Sequence, residues 1–269
     1  MHESNFQTIF YPQDITVNGK GDRTLPQALL VPHASFDWIG DGLKETYGLV
    51  SGCEPERIIL LAPLHQEVRP SLVNHWLFVP QDDGISIFGK EVRFAKDIID
   101  SIILSHKEDI MKDDTVFQEE PDWELHAAMC AACFPTVPVV PILGCGALES
   151  KRVRFLSSLL SSILTPKTLV IATCNASQSL DAKASWSQAS AFTACLENGE
   201  SVLDKGHKGI IGACGYGFIE ALGRIPPFNA HWDVIGLSVR NRSFSAMPPE
   251  AVDFDGDAVW HVYAIGKRS

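Results

Sequence analysis

No run of lysine and arginine occurs anywhere in these 269 residues: 22 basic side chains face 33 acidic ones, a formal net charge of −11 at pH 7. Phosphate backbones and anionic lipid surfaces are held through clustered cations, so this balance argues against a nucleic-acid or charged-membrane partner. Long apolar runs are missing too. Stretches such as Arg57-Ile58-Ile59-Leu60-Leu61-Ala62 fall far short of the roughly 20 residues that span a bilayer. Residues 1–10 carry His2 and Glu3 and no apolar centre, which does not read as a secretory signal. There is no G-x-G-x-x-G and no phosphate loop ending in Lys-Ser/Thr, so no nucleotide cofactor is expected. Neither Ser35 nor Ser177 sits in a G-x-S-x-G elbow, which leaves a serine hydrolase without support. The one CxxC, Cys130-Ala131-Ala132-Cys133, lacks the second pair that a zinc ribbon needs. Flanked by Ala127, Ala128, Met129 and Phe134, it reads as a small-residue core helix. Asp253, Asp255 and Asp257 alternate as in a calcium loop, but no Glu closes the loop at its twelfth position, so a solvated acidic turn is expected.

What remains is an ordinary globular composition, 45% hydrophobic and 20% charged. The seven cysteines are an odd count scattered through apolar segments, which points to reduced thiols and a cytoplasmic protein. Without repeats or a long Pro/Gly/Ser linker, residues 1–269 read as a single domain. Short Val/Ile/Leu-rich runs predict strands over Leu25–Val31, Arg57–Ala62, Val137–Leu143, Thr168–Thr173, Asp233–Val239 and Ala258–Ile265. Longer amphipathic stretches predict helices over Asp41–Ser51, Glu91–Ser105, Trp123–Cys133, Glu149–Ile163, Ala182–Leu196 and Gly217–Leu222. This alternation predicts an α/β fold, a mostly parallel or mixed central sheet covered by helices.

Open α/β sheets bind ligands beyond the carboxyl ends of their strands. Pro32-His33-Ala34-Ser35 follows one predicted strand, Pro63-Leu64-His65 another, and Cys174-Asn175-Ala176-Ser177 a third, while Cys214-Gly215-Tyr216-Gly217 leads into a helix. Neutral imidazole is the commonest transition-metal ligand, and a thiolate at a helix start is a soft ligand or a nucleophile. Singly, His33 and His65 are as well explained as hydrogen-bonded loop residues, and Cys214 as a small apolar residue in a turn. Two histidines in equivalent positions favour a shared site.

Taken in order, these segments resemble the Memo family, whose microbial members are called AmmeMemoRadiSam system protein B. Phe10-Tyr11-Pro12 is similar to its FYP element, and Pro32-His33-Ala34-Ser35-Phe36-Asp37-Trp38-Ile39-Gly40 to its PHAGYxYSG. Leu60-Leu61-Ala62-Pro63-Leu64-His65 resembles LGPSH, Val140-Pro141-Ile142-Leu143-Gly144 resembles IPVLVG, and Cys214-Gly215-Tyr216-Gly217-Phe218-Ile219 resembles CGYGPI. Val259–Gly266 is similar to the closing GYAAxA strand. The resemblance implies the sandwich fold of class III extradiol dioxygenases and a metal centre, iron or copper in the family, with His33, His65 and Cys214 as ligands. Two imidazoles and a thiolate suit Fe(II), Cu or Zn, whereas Mg and Ca prefer hard oxygen.

The chain also departs from the pattern. The family's SSDFSH segment corresponds to Ala172-Thr173-Cys174-Asn175-Ala176-Ser177, so Cys174 stands for its Asp and Ser177 for its His. Serine has no pKa suited to the acid/base work of that histidine. The EHSLE element is reduced to something within Asp122-Trp123-Glu124-Leu125-His126. Cys174, Ser177, Ser35 and Tyr216 are expected to line the cleft, with a small molecule or a peptide as its occupant. A Memo-like metal-binding protein is therefore expected. The alternatives are an Fe(II)-dependent dioxygenase-type oxidoreductase, whose facial triad would lack a nearby carboxylate (Glu220 is the nearest after Cys214), a non-catalytic interaction protein that keeps the fold, and a thiol enzyme using Cys214 or Cys174.

Overall fold

The computed structural model describes residues 2–3, 15–17, 25–65, 75–87, 89–145, 149–179, 181–226, 228, 231–239, 242–244 and 259–266. In chain order its strands are β1 (His2–Glu3), β2 (Ala28–Val31), β3 (Arg57–Leu64), β4 (Leu77–Val79), β5 (Gly84–Ile87), β6 (Lys90–Arg93), β7 (Ile110–Lys112), β8 (Val139–Cys145), β9 (Thr168–Thr173), β10 (Trp232–Val239), β11 (Arg242–Phe244) and β12 (His261–Gly266). The helices are α1 (Phe36–Gly48), α2 (Lys96–His106), α3 (Asp114–Glu119), α4 (Pro121–Cys133), α5 (Ser150–Ile163), α6 (Ala182–Asn198), α7 (Leu203–His207) and α8 (Tyr216–Gly223).

Nine strands form one mixed sheet in the order β11-β10-β12-β2-β9-β3-β8-β4-β7. Its centre, β2-β9-β3-β8, is parallel, and antiparallel strands flank it on both sides. Every residue of β2 and β9 is buried, as is all of β3 after Arg57. Successive strand residues point to opposite faces, so uninterrupted burial means that both faces are covered. That is why these strands read as continuous Val/Ile/Leu runs and not as alternating ones. A small second sheet, β1-β5-β6, meets the large one where Phe94, just after β6, bridges to Val139 of β8.

The helical period predicted for the stretch after Glu149 holds. In α5 the residues Val153, Leu156, Leu159, Leu160 and Ile163 are buried, three or four apart, forming a single apolar stripe. Two predicted helices need correction. Residues 90–93, expected to open a helix from Glu91, form β6 instead. They pair antiparallel with β5 through a hairpin in which Gly89 takes a φ of 71°, a left-handed value that suits glycine, and the helix begins only at Lys96. The helix expected from Asp41 starts at Phe36, after Ser35 at its N-cap and with Asp37 favourably placed in the first turn. The aspartates at 253, 255 and 257, like Ala258 and Phe10-Tyr11-Pro12, lie outside the described residues. Among the described residues no helix is long and apolar enough to cross a membrane.

The order β2-β9-β3 is what positions the site. The connection from β2 to β3 through α1 passes over β9, and that from β8 to β9 through α5 passes over β3. Strand order therefore reverses around β9, and the residues after β2, β9 and β3 emerge at one edge of the sheet. Val31 pairs with Thr173 and Leu61 with Ala172, so His33 and Cys174 leave the sheet nearly level while β3 runs on to Leu64 before His65.

Packing over this region is close. A Cβ on Gly42 of α1 would come within 2.3 Å of the Tyr263 ring, whose hydroxyl bonds Ser238 and the Ile39 carbonyl. Replacing an interior helical glycine with alanine ordinarily stabilises by about 1 kcal/mol. Here the clash wins, and Gly42→Ala is expected to cost about 1–3 kcal/mol in urea denaturation.

Candidate metal centre at the strand ends

His33, His65 and Cys214 converge. The Cys214 Sγ lies 3.1 Å from His33 Nε2, and the two imidazole rings meet edge to face with centroids 4.9 Å apart. One ligating atom from each of the three falls within 4.8 Å of the others. Donors arranged tetrahedrally about a common ion at 2.0–2.3 Å stand about 3.3–3.8 Å apart, so this spacing fits a shared ion with small adjustments.

The reduced EHSLE-like segment supplies a fourth group. Glu120 caps α4, accepting the amide of Asp122, and Pro121 occupies the first turn, where its missing N–H costs nothing. This short turn aims the Asp122 carboxylate at both histidines, 3.1 Å from His65 Nδ1 and 3.6 Å from His33 Nε2. Glu120, itself buried, accepts the His65 amide at 2.8 Å and faces its Nδ1 at 3.4 Å. His65, Glu120 and Asp122 make a second group with metal-ligand spacing that shares His65 with the first. Asp122 as a site residue was not legible in the sequence: with the register against EHSLE unresolved, no residue of the segment could be singled out. Glu220, the carboxylate considered from sequence, is used elsewhere. It caps α7 through Ser201, Val202 and Leu203 and pairs with Arg224.

A layer of supporting bonds orients the ligands. His33 Nδ1 bonds the Thr173 hydroxyl at 3.0 Å, which turns Nε2 toward Cys214. Asn175 clamps the same loop, accepting the His33 amide at 3.2 Å and donating to its carbonyl at 2.9 Å. His126 lies behind: its Nε2 reaches the Pro32 carbonyl at 3.1 Å and its Nδ1 the Tyr47 hydroxyl at 3.0 Å. A carbonyl only accepts, so Nε2 carries the proton and Tyr47 donates to Nδ1. Both ring nitrogens are thus engaged, and burial pushes the His126 pKa down to about 3. His261 is likewise buried and pushed down to about 3. His231 is exposed and takes no part.

The charges at the centre depend on one another. Burial alone would raise the Cys214 thiol, but the Cys174 thiol and the His33 imidazolium hold it well below its ordinary value. His33 is raised against its own burial by Cys214 and Asp122. His65 is raised to about 12, again against burial, by hydrogen bonds to Asp122, Cys214 and Glu120, and Asp122 is lowered to about 2 by the two imidazoliums. The arrangement favours the cationic form of both rings and the anionic form of Cys214 and Asp122.

A cavity of about 380 Å³ opens beside it, lined by His65, Cys214 and Tyr216 together with Gln178, Gln188 and Ile211. Of the residues expected on the cleft, Tyr216 lines this cavity. Cys174 is fully buried next to Cys214, and Ser35 sits at the start of α1. Ser177 departs from expectation: it is fully buried, its hydroxyl shared with Ser185 at 2.6 Å and accepting the Trp260 amide at 2.8 Å. The inward turn of the loop onto α6 and β12 places it in the core.

No known family model matches the chain, and no curated protein sequence does. Among solved structures it is similar to the crystal structure of an uncharacterized protein, JW3007, from Escherichia coli K12. The TM-score is 0.52 at 10% identity, covering 88% of this chain and 98% of that one. At that identity the likeness shows the fold: an α/β sandwich shared along nearly the whole length.

The ion pair predicts a pH profile for chelator-treated protein. The stability given by Asp122 is present above its unfolded value of 3.8 and lost as pH falls through about 2. That given by His65 is present below 6.5 and declines as pH rises toward about 12. The stability difference between wild type and Asp122→Asn should therefore be largest between pH 3.8 and 6.5 and shrink on both sides in denaturant titrations. A second expectation concerns the supporting layer: Thr173→Val removes the Nδ1 partner of His33 and should weaken zinc binding about 10–100-fold by competition with a chromophoric chelator.

Proposed function

We propose that this chain is a Memo-like metal-binding protein that holds one divalent transition ion through His33, His65 and Cys214, with Asp122 as a fourth ligand. The observation that carries this reading is the approach of Cys214 Sγ and Asp122 Oδ2 to the same imidazole nitrogen of His33, at 3.1 and 3.6 Å. Structural packing alone has no need to bring two acidic groups and two bases to one point at a sheet edge. The donor set, one sulfur, two nitrogens and one oxygen, favours Zn, Fe(II) or Cu over Mg or Ca. A bound ion of this kind supplies Lewis acidity and, for iron or copper, redox chemistry. The chain's own residues hold the donors: Thr173 and Asn175 fix His33, Glu120 fixes His65, and the Asn175 amide donates to the Cys214 sulfur at 3.2 Å. Free cysteines scattered through apolar segments are kept reduced most readily in a reducing compartment, which supports a cytoplasmic location. The adjoining cavity would receive a small molecule or a peptide end.

One observation favours a second reading, an Fe(II)-dependent dioxygenase-type enzyme: Asp122 provides the carboxylate of a two-histidine facial triad. Against it, the described candidates for a general acid/base are occupied: Ser177 is buried and bonded and His126 has both nitrogens engaged.

Elemental analysis of protein purified without an affinity tag tests the first reading. One equivalent of Zn, Fe or Cu per chain is expected, falling to background in the His33→Ala, Cys214→Ala double variant with its circular dichroism unchanged. Metal content that survives the double variant would contradict the reading. Because its acidic neighbours hold His65 up to about 12, zinc binding near neutral pH should release at least one proton, measured calorimetrically in buffers of different ionisation enthalpy. Oxygen uptake with catechols should be negligible, as a positioned acid/base contributes on the order of 10²–10⁴-fold; rapid uptake would raise the second reading above the first.

A further inference from the structure

Cys174 has no ligand role in the metal reading, yet it is bound to Cys214 from two directions. The amide of Asn175, the residue after Cys174, donates to Cys214 Sγ at 3.2 Å, and the amide of Gly215, the residue after Cys214, donates to Cys174 Sγ at 3.2 Å. The chain segments touch: a Cβ on Gly215 would stand 3.1 Å from the Cys174 Cβ and 2.5 Å from the Thr173 carbonyl oxygen. Each sulfur is thus held against the backbone that follows the other cysteine, the kind of close approach that a disulfide requires. Access is unequal. Cys214 is half-buried and lines the cavity, whereas Cys174 is fully buried behind it. A small oxidant entering the cavity meets Cys214 first.

We propose that Cys174 and Cys214 form a reversible disulfide when hydrogen peroxide reaches the site, which withdraws Cys214 from the ligand set. The Cys214 thiolate sulfur attacks one peroxide oxygen. The O–O bond breaks, an S–O bond forms to give the sulfenic acid, and the released hydroxide takes a proton to become water. The Cys174 sulfur then attacks Cys214 Sγ and yields its proton to the departing hydroxide, so the S–O bond breaks, the S–S bond forms and a second water leaves. Two thiols lose two electrons and one peroxide is reduced to two waters. A disulfide sulfur carries no charge to offer a metal, leaving His33, His65 and Asp122, and the hold on a soft ion falls. The bond itself follows from the bracing of the two cysteines. Only its consequence for the ion rests on the metal reading.

The test uses the full chain, both zinc-loaded and chelator-stripped, treated with equimolar hydrogen peroxide and mapped by mass spectrometry of non-reduced peptides. A Cys174–Cys214 cross-link is expected as the first disulfide in stripped protein. In loaded protein zinc release should keep pace with the cross-link, and dithiothreitol should reverse both. In Cys174→Ser, Cys214 should pass on to the sulfinic acid and fail to recover, while Cys130→Ser should behave as wild type. The proposal is overturned if Cys130 and Cys133 cross-link first, or if Cys214 reaches the sulfinic acid as fast in wild type as in Cys174→Ser. Zinc loss without a cross-link overturns it too and leaves the metal reading intact. A cross-link in protein that never held zinc upholds the disulfide and removes the metal reading.

Discussion

A thiolate and a carboxylate brought to one buried imidazole must be balanced by positive charge, and most of the local structure around His33 follows from that constraint. The ring is almost fully buried, and Cys214 and Asp122 both approach its Nε2. Burial by itself disfavours every charged form at this point, so each charge persists only because of the others. Protons on His33 and His65 satisfy the requirement in one way, and a divalent cation bound to neutral rings satisfies it in another. On the proposed metal reading, binding an ion exchanges those protons for the cation. Removing any one member leaves the rest exposed to the desolvation cost that they jointly offset.

Holding such a group together demands a rigid frame, and the sheet provides it. Three parallel strands, buried apart from Arg57, deliver His33, His65 and Cys174 to one edge because β9 is inserted between β2 and β3. The helices complete the ring of donors from outside the sheet. Gly215, at the start of α8, sets Cys214 against Cys174 in a space that admits no side chain, and the Glu120-Pro121-Asp122 turn at the start of α4 brings two carboxylates to His65. A cavity on the His65 side keeps the site in reach of solvent and small molecules, whereas its Thr173 and Asn175 side is closed.

The parts of this picture that were legible in the sequence are those with a local signature. Continuous Val/Ile/Leu runs marked β3 and β9, three-and-four spacing marked α5, and the rule that ligands gather past strand ends drew attention to His33 and His65, whereas Cys214 as their partner came from the family resemblance. What escaped had no such signature. Lys90-Glu91-Val92-Arg93 is too short and too charged to distinguish a hairpin strand from the first turn of the helix that follows. Asp122 reaches the site only because a tight turn between α3 and α4 points it there, a long-range placement that no spacing in the chain expresses. Ser177 was expected on the cleft by its position after β9, but the loop turns inward and its hydroxyl is taken up by Ser185 and Trp260.

X-ray absorption spectroscopy of the zinc-reconstituted protein tests the central claim most directly, because it counts the atoms around the ion whatever the protein's activity. The account predicts four-coordinate zinc with one sulfur at about 2.3 Å and the remaining nitrogen and oxygen atoms at about 2.0–2.1 Å. A shell of nitrogen and oxygen alone, with no sulfur, would place the ion away from Cys214 and contradict it.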